Sequence, residues 1–146
     1  MSPYNHKQVI YLITSPLTER DFKRFGIQNW VDHGWKVKVF DGTSFLRPKF
    51  WRYVEGDKFS ANFEGLKIFN NIKALLSALH NLQNKVVFID LMALSVAEMR
   101  IRKIASVHGV LVGVQVGSIP GPKNKINIFI IKKEKVFNGS KSLLDR

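Results

Sequence analysis

The sequence has no cysteine, which removes disulfides, thiolate metal ligands and a thiol nucleophile together. That composition agrees with a cytoplasmic location. No apolar run approaches the ~18 residues of a membrane-spanning helix, so no transmembrane segment is expected. The Met1–Lys7 start lacks the apolar core of a signal peptide. Acidic residues are scarce: 11 Asp and Glu face 23 Lys and Arg, for a formal charge of +12. Such an imbalance favours an anionic partner, although a lysine-rich solvated exterior accounts for it equally well. There is no repeat of solenoid period, no low-complexity tract, no Walker A sequence, no zincin pattern and no Gly-x-Ser-x-Gly elbow.

What is present is a folded composition, 45% hydrophobic over 146 residues, enough for one domain with a sizeable core. Val9 to Ile13 form a near-continuous apolar run, which suits a central parallel strand covered on both faces. Thr18 then stands as N-cap, with Asp21 reaching back as a short capping-box acid. Leu17 and Phe22 fall at the spacing of a hydrophobic staple. One helix is predicted over 18–33, with Phe22, Phe25, Trp30 and Val31 facing a core and Gly34 as its left-handed cap. Trp35 to Phe40 alternates as a second strand, ending at Asp41-Gly42. This is a βαβ unit.

The pattern breaks over 43–64, where Phe45, Leu46, Phe50, Trp51, Tyr53, Phe59 and Phe63 are interleaved with Arg47, Lys49, Arg52 and Lys58. A loop of that length implies a lid or a short helix. Its aromatics either stack on bases or sugars or, the reading favoured here, pack over the sheet edge. A short strand is expected over 65–69, and Asn71 caps a helix running to about Leu82. His80 has no second ligand at chelating spacing on that helix and reads as structural. Val86 to Ile89 form a buried strand ending at Asp90. Ser95 and Glu98 make a capping box for a helix to His108, with Leu94 and Met99 as a second staple, and Gly109 stops it. Val110 to Val116 form the next strand.

These elements predict an α/β fold: an open, mainly parallel Rossmann-like sheet of about five strands with helices on both faces. The boundaries drawn are 1–122 for this domain and 123–146 for a basic C-terminal extension, strand or helix. In open sheets of this kind ligands sit beyond the carboxyl ends of the strands. The candidate binding residues there are Ser15, Thr18, Arg20, Arg24, Asp41, Asp90, Gln115 and Ser118. Arg20 and Arg24 lie one helical turn apart and are suited to a phosphate or carboxylate. Asp41 ends the second strand as the ribose-binding acid of dinucleotide folds does, but the first turn, Thr14-Ser15-Pro16-Leu17-Thr18, has no glycine. No cofactor and no metal is therefore expected, and no catalytic residue stands out.

The run from Tyr11 to Ile27, the segment His33-Gly-Trp-Lys-Val-Lys-Val-Phe-Asp41 and the later Val114-Gln-Val-Gly-Ser-Ile-Pro120 carry a resemblance. They resemble the N-terminal region of uncharacterised bacterial proteins of surface-polysaccharide biosynthesis. The likeness spans about residues 8–120. It implies a Rossmann-like domain similar to the first half of a GT-B glycosyltransferase, whose activity needs a second domain. The partner implied is a nucleotide-sugar or an acidic glycan precursor. A basic nucleic-acid-binding module and a non-catalytic domain that pairs with another protein are the alternatives.

Overall fold

Val9 to Ile13 are almost wholly withdrawn from solvent on both faces, as their unbroken apolar character demands. The computed structural model describes residues 7–83 and 85–113. In chain order it contains β1 (Gln8–Ile13), α1 (Glu19–Arg24), α2 (Ile27–Asp32), β2 (Lys36–Asp41), α3 (Thr43–Leu46), α4 (Pro48–Tyr53), α5 (Gly56–Phe59), β3 (Leu66–Ile68), α6 (Ile72–His80), β4 (Val86–Asp90), α7 (Val96–His108) and β5 (Gly109–Gly113). The five strands are all parallel, in the order β3-β2-β1-β4-β5. The sheet is therefore an open Rossmann-like one, built outwards from β1 in both directions.

Alternation along the strands divides the core between the two faces. Ile10, Leu12, Phe40 and Phe88 pack with Leu75 and Leu79 of α6 and Ile101 and Ala105 of α7. Val9, Tyr11, Ile13, Val37 and Val39 pack on the opposite face with Leu17, Ile27 and the rings of Phe22, Phe25 and Trp30. Burying each Leu, Ile or Phe of these clusters contributes roughly 1.5–3 kcal/mol. At β5 the approach to β4 is so close that a Cβ on Gly109 would collide with the Val86 carbonyl oxygen. Glycine there lets the strands meet.

The N-caps form as the sequence requires. The Thr18 hydroxyl accepts from the Asp21 amide, Asn71 Oδ1 from Ala74, and Ser95 Oγ from Glu98. Two expectations are corrected. The helix predicted over 18–33 is two helices, because Gly26 adopts a left-handed conformation, φ 64°, and ends α1. Val31 consequently points outward. Leu94 and Met99 do not staple α7: they are 87% and 63% exposed. The long aromatic segment, expected to be a lid or to hold a short helix, contains three short helices, α3, α4 and α5. Its aromatics split: Phe45 and Phe63 pack against the two core faces, while Phe50 and Tyr53 stay exposed on α4.

The break at Gly26 has a structural partner. It frees the Phe25 carbonyl, which accepts a 2.8 Å bond from the Tyr11 hydroxyl. That hydroxyl in turn accepts from the Trp30 indole N–H at 2.9 Å. One oxygen on the central strand thus fixes where both short helices sit. Removing it leaves a carbonyl and an indole N–H without their partner in a partly buried place, a loss of about 1–3 kcal/mol. Tyr11→Phe is expected to lower stability in urea denaturation by that amount, with the far-ultraviolet spectrum unchanged.

Candidate ligand site at the carboxyl ends of the strands

The strand order reverses direction between β1 and β4, and in open α/β sheets the crevice beyond that point is where ligands bind. β1 leads into the turn Thr14–Thr18, in which Thr14, Pro16 and Leu17 are buried and Ser15 is exposed. Two neighbours hold this end of β1. The Gly42 amide donates to the Ile13 carbonyl at 3.1 Å, and the Leu91 amide to the Leu12 carbonyl at 3.0 Å. The Ala61 amide reaches the Leu17 carbonyl at 2.6 Å, tying the end of the β2–β3 connection to the turn.

Around this point the sequence-derived residues fall into two groups. Arg20 and Arg24 are at the surface, their side chains 82% and 52% exposed. Each guanidinium stands beside Asp21 Oδ1, at 3.7 and 3.8 Å. Asp21 Oδ2 also accepts from the Thr18 hydroxyl at 2.9 Å. Exposed ion pairs of this geometry contribute about 0–1 kcal/mol, so either arginine can leave Asp21 at little cost. Of the predicted residues here Ser15, Arg20 and Arg24 are accessible, with Glu19 and Lys23 also exposed beside them, and the Thr18 hydroxyl is engaged by the cap. Asp21, absent from the predicted set, is an anion already seated between the two arginines. Its spacing from Thr18 marked it as a cap, and its i+3 relation to Arg24 was the signal for the rest.

Asp41 and Asp90 belong to the second group, acids turned inward. Asp41 ends β2 with no exposed surface. Its Oδ1 accepts from the Thr43 amide at 2.7 Å and from the Thr43 hydroxyl, while Oδ2 has no partner among the described residues. Burial pushes its carboxyl up to about 6, against the lowering effect of the two Thr43 bonds. The carboxylate closes the turn that launches α3, as short polar side chains do after strands.

Asp90 ends β4 and accepts from the Met92 amide at 2.9 Å. Arg102 of α7 binds both of its oxygens and also donates to the Met92 and Ala93 carbonyls at 2.9 and 2.8 Å. This clamp was not foreseen. The available signal was position: Arg102 lies four residues after Glu98 and beside Ile101, on the inward side of α7, where Glu98 is also buried. Glu98 Oε2 and Arg102 Nη1 have no partner among the described residues. Gln115 and Ser118, and the last three residues of the strand predicted over 110–116, lie outside the described residues, as does the basic extension 123–146.

The arrangement can therefore hold a ligand electrostatically through Arg20 and Arg24, with Ser15 as a hydrogen-bond donor or acceptor. Among the described residues no three His, Cys, Asp or Glu side chains converge as metal ligands, and no helix is long and apolar enough to cross a membrane. The chain matches no protein-family model, no curated protein and no solved structure. The strand order defines the class, that of open, parallel α/β sheets with a crossover point at β1 and β4.

Two outcomes follow from the inward acids. The folded Asp41 holds its proton to about pH 6, against an ordinary value of 3.8, so the folded state binds more protons than the unfolded one between those values. Its contribution is fully present below the unfolded value and is lost as pH rises through the folded one, to the extent of about 3 kcal/mol. Chemical denaturation at pH 4, 5, 6 and 7 should show wild type losing stability relative to Asp41→Asn across that range. Arg102→Met leaves Asp90 buried without its counter-charge and is expected to cost about 3–5 kcal/mol. The same denaturation assay with Asp90→Asn added to Arg102→Met should recover part of that loss.

Proposed function

We propose that this chain is a Rossmann-like half of a glycan or nucleotide-sugar processing protein, binding an anionic ligand at the carboxyl ends of β1 and β4. The observation that carries the reading is the reversal of strand order at β1, beside an exposed serine and two exposed, weakly held arginines. A net charge of +12 adds a long-range attraction for phosphate or carboxylate. The resemblance of the Tyr11–Ile27 and His33–Asp41 segments to polysaccharide-biosynthesis proteins supplies the substrate class: a nucleotide-sugar or an acidic glycan precursor. In this reading catalysis requires a second domain or a partner protein, and this half contributes binding.

The inward acids shape the mechanism. Asp41 and Asp90 are engaged by Thr43 and Arg102, so they hold the rim in place and leave the ligand to Arg20, Arg24 and Ser15. Asp21 competes with any incoming anion for the two guanidinium groups. Calorimetric titration with UDP-, GDP- and CMP-sugars tests the proposal on the chain and on a version extended by its natural downstream sequence. Heat is expected with one class, weakened about 100-fold or more in Arg20→Ala/Arg24→Ala, each lost charge-assisted bond contributing roughly 1.5–3 kcal/mol. Asp21→Asn should tighten binding. No heat with any of the three classes in either version rejects the reading.

A second reading rests on α4. There Phe50 and Tyr53, the latter 86% exposed, share a short helix and its start with the exposed Arg47, Lys49 and Arg52. Exposed rings among cations suit the stacking and phosphate contacts of single-stranded nucleic acid. In filter binding at rising salt, that mode requires a steep, linear fall of log affinity with log salt. A flat response rejects it.

A further inference from the structure

His80 is the last residue of α6 and His108 the last of α7. Neither has a histidine or carboxylate partner at chelating spacing in its own helix, so the sequence pattern gives no hint of a pair. Tertiary packing makes one. Both helices pack on the same face of the sheet, and their C-terminal ends bring the two imidazoles to 5.8 Å between ring centres, at 83° to one another. His80 is exposed and His108 half-buried, so the space beside them opens to solvent.

We propose that His80 and His108 form a two-histidine site for a divalent transition metal of the imidazole-preferring class, such as Cu²⁺, Ni²⁺ or Zn²⁺. With metal–nitrogen bonds of ~2.1 Å, two imidazoles on one ion have their centres roughly 5 Å apart. The observed spacing of 5.8 Å lies close to that. Two helix C-termini meet at the same place, and the negative end of each helix dipole favours a cation. Water completes the coordination, since no third His, Cys, Asp or Glu converges with these two among the described residues. Such an ion would bridge α6 to α7, the two helices that flank β4 in the chain. The site is separate from the arginine-bearing turn and independent of the ligand proposed there.

The chain has four histidines, and the other two, His6 and His33, are internal controls. His33 already uses Nδ1 in a 2.7 Å contact with the Asn29 carbonyl. The probe is Cu²⁺, which binds nitrogen sites most tightly among these ions, titrated into chelator-treated full chain by calorimetry, with electron paramagnetic resonance of the product. The expected result is one ion per chain with a two-imidazole nitrogen signature, retained in His6→Ala/His33→Ala. His80→Ala and His108→Ala should each weaken binding by roughly 100-fold, because the second ligand acts at high effective concentration. The double substitution should add little to either single one. Metal should raise the melting temperature of wild type and of the control variant but not of the His80 or His108 variants. The proposal is overturned by absence of binding, by binding indifferent to His80 and His108, or by small, additive losses that mark two independent ligands.

Discussion

Everything in this fold depends on β1 being hydrogen-bonded on both edges and buried on both faces. Parallel pairing to β2 and β4 leaves none of its backbone groups to solvent, and the helices on either side remove its side chains from water. A strand so enclosed must be apolar throughout, and the chain supplies Val-Ile-Tyr-Leu-Ile from Val9 to Ile13. The single polar group tolerated there, the Tyr11 hydroxyl, is buried with a donor and an acceptor at hand. It is retained because it connects the strand to the break between α1 and α2. The core thereby positions the turn at the end of β1.

The electrostatics at the carboxyl ends follow from the same enclosure. Acids that end β2 and β4 sit where water is scarce, so each must be neutralised or satisfied locally. Asp41 does this with Thr43 and a raised proton affinity, and Asp90 with the fork of Arg102. The arginines of α1 are under no such constraint and remain in water beside Asp21. These strand-end acids are held beneath, and loosely held cations lie above. Among the described residues Asp90 and Arg102 compensate each other inside, while Arg20 and Arg24 carry their charge at the surface.

Much of the architecture was legible in the sequence. Period-two and period-three-to-four patterns located all five strands, the caps at Thr18, Asn71 and Ser95, and the ends of the helices at Gly34 and Gly109. The misreadings share a cause. Gly26 reads as a tolerated interruption of a helix until one sees that Tyr11, on a distant strand, bonds the carbonyl which the break releases. Leu94 and Met99 have staple spacing, but spacing does not bury them. Phe45 and Phe50 look alike in a run of aromatics, and only the surface available to each decides that one packs and the other is exposed.

By itself the sequence determined the class of the fold, the central position of β1, the cysteine-free chemistry and the excess of positive charge. These follow from local periodicity, capping and composition, which act over a few residues or over the whole chain at once. Tertiary structure alone decided which acids are sealed and which cations are free. It also decided that Arg102 clamps Asp90, and that His80 meets His108. Those contacts join residues on different strands and helices, and their existence depends on how the helices cross the sheet. No spacing along the chain encodes that, because the distance that matters is set by packing.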